Sequence, residues 1–460
     1  MFRLDFAEKN ILVIGLARSG LAAITSLHKR GARLTAYDAK SEAELGDCIV
    51  NLQTMGVAVY AGIFPPVSSD LDLLVVSPGV PLEIEPVQTA RQLGIEVISE
   101  LELAYRIKSP QLEILAVTGT NGKTTTTTLL EQILLEAGRH AAAGGNIGVA
   151  LCSQVEEMQD GYISVEASSF QLETTSTFRP HIAGILNITP DHLDRHKTMQ
   201  GYMAAKSNIF ARQTKDDFLV LNYEDELVKQ MGAKAASRII YFSTDRQLEE
   251  GVFVSGQVIQ IKWQDECFGL MPVAELRLRG KHNLENALCA AAMAWADGVD
   301  LQSIANVLRT FGGVRHRLEE VACHNDILYI NDSKGTNPDS TIKALSAFNR
   351  PVILIAGGRP KGGSYRLVAQ EIRQRVRELV LLGEAREMIK SEVMETGFRN
   401  IHEVEDFPAA VYQAHQLARP GDVVLLSPAC ASWDMFPSYE HRGDLFCQIV
   451  NTIINQHPKG

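Results

Sequence analysis

The residues Gly119-Thr120-Asn121-Gly122-Lys123-Thr124 put two glycines, an ammonium group and two threonine hydroxyls into one short stretch. An apolar run, LEILAV, precedes them and a helical pattern follows. In that context glycines let backbone N–H groups approach phosphate oxygens, and the helix N-terminus adds partial positive charge. Lys123 would then reach the β/γ-phosphates and Thr124 would ligate Mg²⁺. The spacing is tighter than in the usual phosphate loop, with two residues rather than four between the first glycine and the Gly-Lys pair. A solvated lysine on an ordinary strand–helix turn is the alternative reading.

Glu166 (in SVEASSFQLE), His192 (in NITPDHLDRH) and Lys206 (in YMAAKSNIF) follow downstream of that loop. A carboxylate and a neutral imidazole can hold Mg²⁺ around a triphosphate, because the ion prefers oxygen and keeps several waters. Taken singly, the three read as a helix-start charge, a turn residue and a surface amine. Sharing a segment with the phosphate loop is what gives them weight.

Other stretches suit nucleotides and small acids. Gly15-Leu16-Ala17-Arg18-Ser19-Gly20 is close to the dinucleotide fingerprint, and Asp38 stands near the spacing of its ribose contact. Ala17 replaces the middle glycine, which weakens an NAD reading without forbidding a phosphate. Ser77-Pro78-Gly79 closes a later strand pattern. Asn283 and Asn286, at a helix start, carry amides able to read a base or ribose, although Asn283 reads equally as an N-cap. Arg315-His316-Arg317 offers guanidinium forks for phosphate. NDSKGTN (331–337), GGRPKG (357–362) and SPACASWD (427–434) all follow strand patterns. Their hydroxyl, ammonium and N–H groups suit a small dicarboxylate or amino acid. Cys430 has no His/Asp partner pattern and reads as a packed thiol.

Three stretches of alternating strand and helix patterns must position these groups. In the first, up to about residue 110, strands are expected at 11–15, 33–38 and within 71–79, and a strand leads into a helix over 96–107. The second carries the phosphate loop, strands near 161–166 and 181–187, and a hairpin around Ser255-Gly256, so its sheet is mixed. The third, from about 313, has four strand patterns at 327–332, 351–358, 378–383 and 422–428. The fold class is therefore α/β, with ligands expected at the carboxyl ends of the strands.

Composition narrows the class. At about 100–200 residues per domain, 460 residues suggest two to four domains. A net charge of −11 argues against a nucleic-acid binder held by charge alone. The most apolar stretch, 287–296, is too short to span a membrane and reads as a buried helix. Seven cysteines lie scattered without a CxxC pair, and read as buried, reduced thiols of a cytoplasmic protein. A monomer is expected, without nucleic acid or membrane insertion. An NAD-dependent oxidoreductase would leave GTNGKT unexplained, and a nucleotide-gated switch would leave Glu166, His192 and Lys206 unexplained.

Taken in order, the GTNGKT loop, the Glu, His and Lys elements, the HNxxN helix, the HR boundary and the DSKGTN loop resemble the Mur ligase family. DSKGTN and SPACASWDMF point to its D-glutamate-adding branch. The resemblance implies three domains: an N-terminal Rossmann-like domain (1–110), a central P-loop ATPase-type mixed α/β domain (111–313) and a C-terminal Rossmann-like domain (314–460). It implies ATP-dependent addition of D-glutamate to UDP-N-acetylmuramoyl-L-alanine through an acyl phosphate, in peptidoglycan precursor synthesis, on which cell shape and division depend. By the same resemblance Leu16, Ala17, Arg18, Ser19, Asp38, Ser77, Pro78, Gly79, Asn146 and His192 would hold the UDP-bearing acceptor. Gly119 to Thr125, with Asn283, Asn286, Arg317 and Asp332, would hold ATP. Thr124 and Glu166 would serve one Mg²⁺, and His192 and Lys206 a second, with Lys206 carbamylated. Lys123, Glu166, His192 and Lys206 would be catalytic. Lys334, Thr336, Lys361, Ser432 and Tyr439 would form the D-glutamate pocket; the family often has Phe at the last position.

Overall fold

The computed structural model describes residues 6–360 and 364–456. The central strands are short Val/Ile/Leu runs buried on both faces, as parallel strands covered by helices must be. The first sheet holds β1 (Asn10–Ile14), β2 (Arg33–Asp38), β3 (Ala58–Ala61), β4 (Leu73–Val76) and β5 (Glu96–Ser99); β3, an edge strand with no buried residue, is not among the expected strands. All pair parallel, in the order β3-β2-β1-β4-β5. The chain reverses direction across the sheet beside β1, so the loops after β1 and β4 flank one crevice.

The second sheet holds β6 (Gln111–Thr118), β7 (Ala141–Gly145), β8 (Asp160–Glu166), β9 (Ile182–Ile185), β10 (Phe218–Asn222), β11 (Arg238–Ser243), β12 (Gly251–Ser255), β13 (Val258–Trp263) and β14 (Glu266–Pro272). Their order is β14-β13-β12-β11-β10-β9-β6-β8-β7, parallel except for the antiparallel pairs β12–β13 and β13–β14. The hairpin forms as expected, but its turn is Gly256-Gln257. Ser255 pairs with Val258, and the two turn residues take φ of 57° and 65°. Positive φ at both positions matches the right-handed twist of the flanking strands.

The third sheet comprises β15 (Glu319–His324), β16 (Ile327–Asn331), β17 (Val352–Gly357), β18 (Val376–Leu382), β19 (Ile401–Glu403) and β20 (Val423–Leu426). Its order is β15-β16-β20-β17-β18-β19. The four apolar patterns form its centre. The edge strands β15 (EEVACH) and β19 (IHE) are charged or very short, which hides them from a reading based on apolar runs.

The chain divides into two compact units: Met1–Glu275 with Glu285–Arg309, and Leu276–Leu284 with Thr310–Gly460. In the first, the two sheets share one core. Helices Arg18–His28, Glu100–Ile107 and Leu151–Glu157 pack together, burying Ala23, Leu27, Leu101, Leu103 and Leu151. Residues 287–294 are fully buried on a helix, as their composition implies. In the second unit, apolar clusters cover both faces of the third sheet. Among the described residues no helix is long and apolar enough to cross a membrane. All seven cysteines are free, but the buried-thiol expectation fails for Cys267 and Cys323, which are exposed. Both lie on strands near sheet edges, where alternate side chains face water.

Candidate active site

The phosphate-type loop leaves β6 and enters helix Lys123–Glu136. Gly119 and Gly122 take φ of 149° and 89°, which side chains rarely adopt. A Cβ at Gly122 would also overlap Oδ1 of Asn286. The amide expected to meet adenosine therefore lies directly against the loop. Threonines 124–127 are poor helix formers, yet all are buried here, so packing overrides propensity.

Neighbours hold the loop in shape. Asn121 N–H donates to Asn187 Oδ1 at 2.9 Å, and Asn187 Nδ2 donates back to Asn121 O at 3.1 Å. Thr120 N–H donates to Asn187 O at 2.8 Å. The Thr120 hydroxyl meets Thr189 O and the Tyr202 hydroxyl, each at 3.1 Å. Asn187, Thr189 and Tyr202 were not singled out by sequence; an Asn just past a buried strand was the only signal. Lys123 Nζ folds over its own loop, donating to Gly119 O at 2.9 Å and Thr120 O at 2.8 Å.

Three expected residues converge next to it. The Thr124 hydroxyl donates to Glu166 Oε2 at 2.6 Å, and Asn146 Nδ2 donates to Glu166 Oε1 at 2.9 Å. Glu166 ends β8 beside β6, so its carboxylate and the loop share one sheet edge. Adjacent hydroxyl and carboxylate oxygens suit Mg²⁺. Among the described residues no three His, Cys, Asp or Glu side chains gather as a metal cage, so further ligands would come from phosphate and water.

Lys206 is not the surface amine its helical pattern allowed. It is 1 % exposed. Its Nζ donates to Gly119 O at 2.8 Å and Thr118 Oγ1 at 3.3 Å, and lies 4.7 Å from the Tyr202 ring centroid. Burial, and then the charge of Lys123, hold its pKa well below the ordinary lysine range; Asp191 and Glu166 oppose this. His192 precedes a short helix at φ 53° and is half-exposed. Its Nε2 is 3.5 Å from Asp191 Oδ2, and its ring packs 4.7 Å from that of Phe170.

Several of the residues expected to hold the acceptor also gather at one edge. Leu16 N–H donates to Asp38 Oδ2 at 2.7 Å and Lys40 N–H to Asp38 Oδ1 at 3.0 Å. Asp38 thus clamps the β1 and β2 loops to each other. Ser77 Oγ donates to Gly15 O at 2.8 Å, closing the β4 turn on the same glycine. Arg18 donates from Nη1 to the carbonyl of Gly148, in the loop that begins with Asn146.

In the second unit, Asp332 directly follows β16 and accepts from Ser427 Oγ at 2.7 Å and Leu318 N–H at 3.3 Å. Burial pushes its carboxyl up to about 7, against these hydrogen bonds. Lys334 Nζ lies 5.3 Å from the Tyr439 ring centroid, uniting two expected residues through a cation–π contact. Thr336 follows in the same loop, its N–H donating to Lys334 O at 2.8 Å. Ser432 is buried. Arg442, which sequence reasoning missed, is 1 % exposed and stitches these loops together. Its Nε and Nη2 donate to Ser333 Oγ at 3.0 Å and Ser333 O at 2.8 Å, and its Nη1 reaches Cys430 O and Ala431 O at 3.4 Å. Burial lowers its pKa to about 10. Cys430 Sγ packs against Tyr365 Oη at 3.1 Å, as a packed thiol should. Asn283 is not an N-cap: the helix starts at Lys281, and Asn283 Nδ2 donates to Arg279 O at 2.8 Å. Arg317 follows β15's approach turn, its N–H donating to Val314 O at 3.0 Å. Lys361 lies outside the described residues.

Three family models match the chain in succession: the Mur ligase MurD-like N-terminal domain over 9–99, the Mur ligase middle domain over 117–294, and the Mur ligase glutamate ligase domain over 316–430. The UDP-N-acetylmuramoylalanine--D-glutamate ligase of Pelotomaculum thermopropionicum is 50 % identical over 452 residues, covering 98 % of this chain and 99 % of its own. That of Clostridioides difficile is 42 % identical over 452 residues, covering 98 % and 100 %. Among solved structures, MurF of Acinetobacter baumannii has a TM-score of 0.60 at 20 % identity, over 97 % of this chain and 91 % of its own. The UDP-N-acetylmuramate-alanine ligase of Thermotoga maritima has a TM-score of 0.58 at 20 % identity, over 96 % and 99 %. These two share the fold. Full-length identity of this order, added to a phosphate loop whose threonine meets the Glu166 carboxylate, makes the chain a member of the Mur ligase family, with that family's three-domain α/β architecture.

Proposed function

We propose that this ligase uses ATP to join D-glutamate to UDP-N-acetylmuramoyl-L-alanine in peptidoglycan precursor synthesis. The observation that carries the chemistry is the meeting of Thr124, Glu166 and Asn146 beside a phosphate loop whose first carbonyl accepts from the buried Lys206 amine. The names of the full-length relatives support the substrates. Residues 1–110 serve the UDP-bearing acceptor, 111–313 ATP and 314–460 D-glutamate.

A carboxylate is a poor acyl donor because its leaving group would be oxide. The acceptor carboxylate therefore attacks the γ-phosphorus of ATP, ADP leaves, and an acyl phosphate forms. Lys123 and the loop N–H groups stabilise charge on the transferring phosphoryl oxygens. Thr124 and Glu166 would hold one Mg²⁺, and His192 and Lys206 a second; bound there, the ions would supply further charge neutralisation. Burial disfavours the Lys206 ammonium relative to the amine. The amine nitrogen would bond to the carbon of CO₂ and lose a proton, and the carbamate would offer oxygen donors there. The amine of D-glutamate, held by Lys334, Thr336, Lys361, Ser432 and Tyr439, then attacks the acyl carbon. It loses a proton, phosphate departs and the amide remains. ATP and UDP-linked substrates suit a cytoplasmic enzyme.

Hydroxylamine added to enzyme, ATP, Mg²⁺ and acceptor, with D-glutamate omitted, tests the order of steps. Acceptor hydroxamate is expected. ADP formation that needs D-glutamate absolutely, with no hydroxamate, would contradict the acyl phosphate.

A further inference from the structure

Phe170 belongs to none of the roles assigned above, yet it lies at the centre of a cluster. It sits on the short helix Ser169–Leu172 that directly follows Glu166. One contact is the His192 ring at 4.7 Å and 59°; another is the His196 ring at 5.5 Å and 26°, nearly stacked. His196 is itself fixed, its Nε2 lying 3.0 Å from Ser169 Oγ. Over the same phenyl ring lies the Arg195 guanidinium, 4.6 Å from the centroid.

Arg195 reaches further. Its Nη2 and Nε donate to Glu173 Oε2 at 3.1 and 3.3 Å. Its Nη1 donates to Val80 O at 2.7 Å and Pro78 O at 3.5 Å. Those two carbonyls belong to the turn after β4. One side chain thus ties the first sheet's Ser77–Val80 turn to the segment that carries His192. A planar guanidinium can stack on a ring and donate along its edge at once, which an ammonium cannot.

We infer that Arg195 and Phe170 are positioning residues that couple occupancy of the acceptor site to the metal-binding side chain of His192. The inference rests on two parts of the proposed function: the acceptor reading of the Ser77–Gly79 turn and the metal-ligand reading of His192. A ligand that orders this turn fixes the two carbonyls, the carbonyls fix the guanidinium, and the guanidinium and phenyl ring fix the imidazole. Acceptor binding would then tighten divalent-cation binding, and the reverse, since such coupling is reciprocal.

Mn²⁺ binding to the full-length enzyme with a non-hydrolysable ATP analogue, followed by electron paramagnetic resonance, tests this with and without UDP-N-acetylmuramoyl-L-alanine. In the unaltered protein the acceptor should tighten Mn²⁺ binding by about fivefold or more, the low end of usual coupling. Arg195→Met and Phe170→Leu should bring that enhancement to within about twofold of none, by loss of the same coupling. Both should lower kcat about tenfold while leaving the KM for D-glutamate unchanged. Arg195→Lys should not restore the coupling. Phe170→Leu keeps the test open should Arg195→Met fail to fold. Acceptor binding with the enhancement intact in either folded variant, or absent from the unaltered protein, would overturn the inference alone. No acceptor binding by the unaltered protein would overturn the acceptor reading and the inference with it.

Discussion

At the residue scale, burial decides what the ionisable groups can do. Lys206 combines a lowered pKa with two acceptors from the phosphate strand and loop. Lys206→Ala should cut turnover by about a thousandfold or more, as loss of a charge-stabilising group in a closed site does. A short organic acid should restore part of it by supplying the missing carboxylate oxygens. Full activity in the alanine variant would contradict the carbamate role. Glu100 gives a second prediction, unrelated to catalysis. It is 1 % exposed, accepts from Cys152 N–H at 2.6 Å, and desolvation raises its carboxyl from 4.5 to about 7. Between those two values the native state binds a proton that the unfolded chain has released, so stability falls as pH rises. By pH 8 the loss is roughly 3 kcal/mol. Glu100→Gln should therefore raise Tm at pH 8 and give little gain near pH 5, in thermal scans across that range. The chemical identity of Lys206 and Glu166 was legible from their company in the sequence. Their burial was not, and neither were Asn187, Tyr202 and Arg442, whose partners are distant in sequence and met only through the fold.

At the element scale, the phosphate loop was legible because its glycines answer a local demand. Gly122→Ala would place a methyl into Asn286 at a φ of 89°. The strain is about 1–2 kcal/mol before any clash, so ATP affinity should fall about tenfold or more. A nucleotide titration alongside a thermal scan would check this, and unchanged affinity would contradict the loop's role. Most central strands were legible from their apolar runs, although β10 and β11 in the second sheet were not singled out. The edges β15 and β19 were not legible, because an edge strand needs only one covered side and can be short or charged. The hairpin was placed by its alternation. Its turn slipped by one residue because Gln257 accepts a positive φ that sequence would assign to glycine or asparagine.

At the scale of the whole molecule, three sheets were visible as three runs of alternating patterns. The compact units are two, since the first two sheets bury a common core through helices whose facing surfaces carry no signature of which neighbour they meet. That shared core gives the straps from Arg18 and Arg195 a fixed frame between the loops after β1 and β4 and the segments carrying Asn146 and His192. A net charge of −11 gives no general field that attracts anions, so anionic ligands would depend on local loops. The proposed reaction forms one amide per ATP from two defined partners. Phosphate release from ATP and Mg²⁺ should be measured with UDP-N-acetylmuramoyl-L-alanine and D-glutamate together, with each omitted in turn, and with L-glutamate in place of the D-isomer. Release should require both substrates, be specific for D-glutamate and match amide formation one to one. Sustained release without the acceptor, or none with both substrates present despite ATP binding, would contradict the proposed reaction.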